Sequence, residues 1–399
     1  MVHQRTAMIE SLEPRQLLAI TAPTSEPHVV NTPVGLTPQQ VRHAYNVDKI
    51  WYKKKGKLIR GTGEGQTIAI VDAYDHPRIT SDFKIFNKQF GLPNYGKDGK
   101  LLLQKKVAPG KFFTAAVPPV DRGWAGEIAL DVEWAHVIAP RAKIILVEAQ
   151  SAAFDDLLAA VDFARNIPGV STISCSWGNV EQGPWQDAFN NFFTTPKGHI
   201  GSHGLPGGIT FIFSSGDDGG VTSWPAVSEN VLAVGGTNLK VDAVGNVLSE
   251  TAWTGSGGGP PLFSYPNNSP DVSMVADPQT GVGIYNSIPD FSGQSGWSQI
   301  GGTSASAPMW AGLLAIANEG RAILGKPNLD GVKDVLPWLA TYPSNNFRDI
   351  VTGFTSSPLA PSFEASPGLD PVTGIGSPKA HKVMRALILW DTPSTPVIV

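Results

Sequence analysis

The sequence predicts an α/β fold, with a mostly parallel central sheet, helices on both faces and one large domain. Three observations predict it. Short apolar runs recur as TIAIVDAY (67–74), AKIILVEA (142–149), VSTISCSWG (170–178), ITFIFSSGD (209–217) and VLAVGGT (231–237). Strands covered on both faces read as such unbroken runs, whereas half-exposed strands alternate. Helical patterns lie between several of them, and the last three runs close in or near Gly or Asp, which bounds them as short strands.

The elements follow in order. Residues 1–35 are polar, Pro- and Thr-rich and aperiodic, and are expected to be a disordered tail. The opening stretch has acidic and basic residues where a signal peptide has an apolar core. Its LEPRQLL (12–18) resembles the LEPRxLL motif of exported bacterial proteins. At Leu36 a helix is expected to begin, with Thr37 as N-cap and Pro38 at the first helical position. The glycines of GTGEGQ (61–66) precede a strand instead of following one, so they are not a dinucleotide fingerprint. In GEIALDVEWAHVIA (126–139), Ile128, Val132, Ala135 and Ala139 share helical spacing, and FDDLLAAVDFARN (154–166) is an amphipathic helix. GGTSASAPMWAGLLAIA (301–317) opens a long helix of small and apolar residues, and the rest of the last third is loop-rich. There is no internal repeat.

Composition narrows the function. Of 399 residues, 41% are hydrophobic, eleven are Trp, and only 16% are charged. That supports a sizeable core and excludes a disordered or collagen-like chain. The net charge is -4 and no basic block stands out, so nucleic acid is not an expected partner. The single Cys175 excludes an intrachain disulfide and a thiolate zinc site. No run of 18 apolar residues predicts a membrane span.

Chemistry is expected where strands end and helices begin. Ser304 would sit at a helix N-terminus, where free N–H groups and the dipole favour developing negative charge. That suits a nucleophile whose attack makes an oxyanion, although a serine there also serves as a plain cap. His136, on the 126–139 helix, is the one histidine near a plausible site. The same helix carries Glu127 and Asp131, whose i, i+4 spacing places both carboxylates on one face. Apolar flanks would half-bury them, so each raises the other's pKa, and the pair could take a serine proton at low pH. Asp217 closes an apolar run. It is either a turn former or a protonated acid that hydrogen-bonds the oxyanion.

The segments GEIALD, SWG, SSGDDG, SPDVSMVADP and GGTSASAP, in that order, resemble the sedolisins, or serine-carboxyl peptidases. The likeness runs from about Leu36 to Pro378, so 36–399 is expected to be a sedolisin-like peptidase domain. It implies a subtilisin-like fold and endopeptidase action at acidic pH on proteins or peptides. It makes Ser304 the nucleophile, Glu127 the base, Asp131 its orienting partner and Asp217 the oxyanion donor, with Trp177 beside the active site. It also implies one structural Ca²⁺, held through Asp349, Ile350, Ser366, Gly368 and Asp370, where Ser366 replaces the family's glycine. Sedolisins usually carry a long folded pro-segment. The short leader here leaves three readings open: folding without one, a truncated sequence, or control by another route. Location is expected to be exported or extracellular, at the cell surface or free.

Two rivals remain at this stage. A His-dependent subtilisin-like protease would use His136 with Asp72, but lacks its histidine motif. Without that motif, Asp72 more simply closes a strand or contacts backbone. A non-catalytic exported binding protein on a peptidase scaffold would be expected to have lost at least one of Glu127, Asp131, Asp217 and Ser304.

Overall fold

The computed structural model describes residues 31–110, 116–263 and 269–391. The LEPRxLL-like motif lies outside the described residues. Helix α1 (Pro38–Ala44) begins as the sequence predicts. Its Gln40 amide donates to the Thr37 hydroxyl at 3.3 Å, and the Gln40 side chain accepts from the Thr37 amide at 3.0 Å. This reciprocal cap satisfies two donors that the helix cannot. A hairpin follows that the apolar pattern did not reveal, β1 (Trp51–Lys54) and β2 (Lys57–Arg60). The chain then runs β3 (Thr67–Ala73), α2 (Ile79–Phe90), β4 (Leu103–Val107), α3 (Arg122–Ile138), β5 (Lys143–Ala149), α4 (Phe154–Arg165) and β6 (Val170–Cys175). It continues through β7 (Asn179–Val180), β8 (Thr210–Ser214), β9 (Ser223–Trp224), β10 (Leu232–Val241), β11 (Val247–Ala252), β12 (Val272–Val275) and α5 (Thr303–Ile323). A C-terminal helix, Ala380–Leu389, closes the fold.

The eight-stranded sheet has the order β11-β10-β8-β6-β3-β5-β4, with β12 also on β10. All its pairings are parallel except β10 with β11. In β3, Ile68 and Ile70 join one core with Ile128 of α3 and Leu313 of α5. Ala69 and Val71 join the other with Leu158 and Val161 of α4. This two-sided burial is why the strand sequences do not alternate. Each such Ile, Leu or Val side chain contributes about 1.5–3 kcal/mol by leaving water. The fold is therefore the predicted single α/β domain, with helices on both faces.

The same topology gathers the strand ends. Asp72 closes β3 beside Glu148 of β5, its register partner. Ser176 follows β6, and Ser215 to Asp217 follow β8. Among the described residues, no helix is long and apolar enough to cross a membrane.

Candidate active site

Helix α3 is anchored at its start by Asp121, whose carboxylate accepts from the amides of Gly123 at 2.9 Å and Trp124 at 3.0 Å. It lies alongside α5, and the two run in the same direction. Glu127 and Ser304 meet near the N-termini, while further along Gly312 faces Ala135 and Ile138. A Cβ on Gly312 would stand 2.7 Å from the Ile138 Cβ, so only glycine allows this approach. That packing sets Glu127 against Ser304.

Ser304 is buried in the first turn of α5, where backbone N–H groups lack intrahelical acceptors. Pro308, inside the helix, has no N–H to give to the carbonyl four residues back, which belongs to Ser304. The Ser176 hydroxyl donates to that carbonyl instead, at 3.4 Å. Ser176 also favours the ionised form of Asp131, linking the serine's backbone to the acid pair.

The acids form a larger group than the sequence indicated. Glu127, Asp131 and Asp72 are all buried and face one another. Burial pushes the Glu127 carboxyl well up, the charge on Asp72 adds to this, and the Ser304 hydroxyl opposes it. Asp131 is pushed well up by burial and by the charges on Asp72 and Glu127, while Ser176 pulls it down. Burial and Glu148 raise Asp72 to about 8. Among the described residues, neither carboxylate oxygen of Asp72 has a hydrogen-bond partner. The expected backbone contact is therefore not made. Asp72 ends its strand facing the acid pair.

Asp217 stands across from this group, close enough for its charge to act on Glu127. Its Oδ1 accepts from the Thr303 amide and the Thr303 hydroxyl, each at 2.8 Å. Its Oδ2 lies against Gly302, where a Cβ would come within 2.6 Å, and the Gly302 φ of 103° also favours glycine. Burial raises Asp217 to about 6, against the two Thr303 hydrogen bonds, which lower it. Trp177 is buried, donates its indole N–H to the Val71 carbonyl at 2.9 Å, and packs edge-on against Phe213. It thus fixes the end of β3 just before Asp72.

His136 is not part of this group. It packs on Phe83 of α2 with ring centroids 4.6 Å apart, and burial lowers it to about 3. Nine residues of helix separate it from Glu127, about 13 Å along the axis. The sequence reading missed Thr303 and the Asp72–Glu148 neighbourhood. A strand-terminal Asp beside a strand-terminal Glu was the available signal for the latter.

In the loop-rich last third, Asp349 and Asp370 converge on one segment. Asp349 accepts from the Gly368 amide at 2.9 Å, and Asp370 from the amides of Ser366 at 3.2 Å and of Val372 and Thr373 at 2.8 Å. Ile350 is buried beside them. Among the described residues, no cluster of three or more His, Cys, Asp or Glu could hold a metal. A hard cation here would therefore need backbone carbonyls besides the two carboxylates, a donor set that suits Ca²⁺.

Residues 123–347 match the Subtilase family. The chain is 32% identical to kumamolisin from Bacillus sp. (strain MN-32), over 89% of this chain and 64% of that protein. It is 27% identical to tripeptidyl-peptidase 1 of Dictyostelium discoideum, over 88% of this chain and 58% of that protein. The chain thus spans about three fifths of the length of these relatives. Among solved structures it resembles Pseudomonas sedolisin, a serine-carboxyl proteinase complexed with two molecules of pseudo-iodotyrostatin. The TM-score is 0.70 at 23% identity, over 89% of this chain and 98% of that one, a likeness of fold.

Proposed function

The chain belongs to the subtilase family, on its sedolisin branch, and from that premise we propose that it is a serine-carboxyl endopeptidase acting on proteins or peptides at acidic pH. The observation that carries this is the meeting of Ser304 with a buried carboxylate, Glu127, where a His-dependent protease needs an imidazole. His136 is too distant and too hard to protonate to serve as that base.

In the proposed reaction the Ser304 Oγ attacks the scissile carbonyl carbon as its proton passes to Glu127. The carbonyl oxygen becomes an oxyanion and accepts a hydrogen bond from protonated Asp217. Because Thr303 occupies Oδ1, the proton belongs on Oδ2. Glu127 then gives its proton to the departing amine, and the C–N bond breaks to leave an acyl-enzyme. Water, deprotonated by Glu127, hydrolyses the ester and returns the proton to Ser304.

Asp72, Glu127 and Asp131 titrate as a set. The first proton leaves without opposing a neighbouring charge, and the Ser304 hydroxyl favours that charge on Glu127. Asp131 and Asp72 would hold the remaining protons and orient Glu127. Asp217 must stay protonated, so activity belongs below about 6. The expected optimum lies roughly at pH 3–5, near ordinary carboxyl values.

Calcium is part of the same reading. Asp349 and Asp370, with carbonyl oxygens around Ile350, Ser366 and Gly368, would hold one ion that ties the 349–370 loop. When bound, it supplies structure and takes no part in the chemistry. An exported or extracellular setting fits an acid peptidase.

The test is a pH–activity profile on a denatured protein, wild type beside Ser304→Ala, with product lengths measured. Cleavage peaking below pH 6, lost in the variant, supports the proposal. An optimum above pH 7 overturns the carboxyl mechanism, and release of tripeptides alone overturns the endopeptidase mode.

A further inference from the structure

The β1–β2 hairpin concentrates positive charge in a chain whose net charge is -4. Lys53, Lys54, Lys55, Lys57 and Arg60 fall within eight residues, and all are exposed. Among the described residues, no carboxylate pairs with any of these four lysines. This basic element is local, and the overall charge hid it.

Strand pairing sets Trp51 opposite Arg60, Tyr52 opposite Ile59 and Lys53 opposite Leu58. Tyr52 is buried and donates its hydroxyl to the Ile316 carbonyl of α5 at 2.6 Å, which fastens the hairpin to the body. Side chains alternate along a strand, so Trp51, Lys53, Leu58 and Arg60 share the opposite, solvent face. Trp51 is 49% exposed and Leu58 71%. The Arg60 guanidinium lies 5.1 Å over the Trp51 ring. The outer face thus mixes cations with a large aromatic and a bare aliphatic side chain.

Its position gives this face a direction. The hairpin leads into the start of β3 at Thr67, whereas Asp72 lies at the far end of that strand. Ile316 lies twelve residues beyond Ser304 on one helix, about 18 Å along its axis. Arg141, two residues before β5, and Lys143, its first residue, lie at the hairpin's end of the sheet. Of the acids nearby, Glu64 is paired with Lys97 at 2.7 Å, and Glu319 is buried on the amides of Thr62 and Gly63.

We propose that this hairpin docks the protein on an anionic lipid surface, with the candidate active site facing away from it. A linear polyanion would be drawn to the cations but would gain nothing from the exposed Leu58. A bilayer surface rewards both parts: its charge attracts the lysines, and its interface takes up Trp51 and Leu58.

Co-sedimentation of the full chain with vesicles tests this, comparing neutral phosphatidylcholine with a 3:1 mixture of phosphatidylcholine and phosphatidylglycerol. Binding is expected only to the anionic vesicles at low salt, with release at high salt. Changing Lys53, Lys54, Lys55 and Lys57 together to Gln should weaken it at least about tenfold. Leu58→Ser, which keeps every charge, should weaken it roughly threefold or more. Cleavage of a soluble substrate should stay at the wild-type rate in both variants, which shows that they fold. Failure of wild type to bind anionic vesicles at low salt overturns the proposal. So does Leu58→Ser binding as wild type while heparin or duplex DNA competes fully, since the partner would then be a polyanionic chain.

Discussion

Thr303 holds Asp217 by one oxygen only: its amide and its hydroxyl both donate to Oδ1, each at 2.8 Å. The other oxygen, Oδ2, is left to carry a proton, and it sits against the Cα of Gly302. The residue before the proposed nucleophile thus decides which face of Asp217 can act as an acid. Removing the hydroxyl with Thr303→Val should lower kcat by about tenfold, less than losing an oxyanion donor outright. Both Thr303 hydrogen bonds depress the Asp217 pKa, so the same variant should move the alkaline limb of the pH–rate profile upward. Thr303→Ser should restore both. A loss of kcat with an unmoved limb would mean that Thr303 serves packing alone.

Asp217 sets where that limb falls. Its acid form is the one required, and burial places its titration at about 6. Activity should therefore decline as pH rises through that value. In Asp217→Asn the amide still donates a hydrogen bond but no longer titrates, so a weaker enzyme with a flattened alkaline limb is expected. A limb unchanged in Asp217→Asn would assign that ionisation to another group.

Ser304→Ala and Glu127→Ala should each nearly abolish turnover, and the double variant should be little worse than either. Groups that act as one unit lose their whole effect when one member goes. Single-turnover assays on the three variants measure this. Additive losses would show that Ser304 and Glu127 act independently.

The sequence made the sheet legible because strands covered on both faces cannot hide their apolar runs. Ser304 and Asp217 were legible because one opens a helix and the other follows a strand end, and Glu127 because its i, i+4 spacing with Asp131 sets two carboxylates on one face of α3. Asp72 was read as a strand terminator because its neighbours Glu127 and Asp131 are remote in sequence and meet it only through α3–sheet packing. His136 shows the converse. It shares a helix with Glu127 but faces α2, so closeness in sequence did not bring it to the site. The β1–β2 hairpin escaped notice because a two-stranded ribbon with one anchoring Tyr carries almost no apolar periodicity.

Buried carboxyls should make the fold most stable in acid. Burial raises Asp72 to about 8 and Asp271, Glu148 and Glu319 to about 7. Unfolded, each would titrate near 4. From about pH 4 to pH 8 the folded state thus binds more protons than the unfolded chain, and stability falls as pH rises. His136 acts the other way, since its folded value near 3 removes stability as pH drops below about 6.5. His76 and His381, which burial also lowers, act with His136, while the raised His43 acts with the carboxyls, and the raised groups outnumber the lowered ones. Thermal melts from pH 4 to pH 8 should show a falling midpoint. A midpoint that rises steadily over this range would contradict the burial of these acids.

The last prediction concerns the 349–370 loop. Asp349 and Asp370 are tied to Gly368 and Ser366 by amide hydrogen bonds, so the two carboxylates close on one short segment. Burial raises the Asp370 pKa, a cost for an anion with no cation beside it. A bound Ca²⁺ would favour both ionised carboxylates and hold the loop shut. A ligand that binds only the folded state stabilises it by about 2.7 kcal/mol at a hundred times its dissociation constant. Chelation near pH 5 should therefore lower the melting midpoint by several degrees and open the loop to proteolysis. Acid should weaken the site as well, because the aspartates must lose their protons to bind. Asp370→Ala should melt low with or without chelator, since it loses both the ion and the amide bonds to Val372 and Thr373. Asp349→Asn, which keeps the side chain's shape and a carbonyl acceptor, separates these two effects: it should lose the chelator response while keeping most of the loop's hydrogen bonding. A wild-type melt unmoved by chelator would show that the amide bonds alone close this loop.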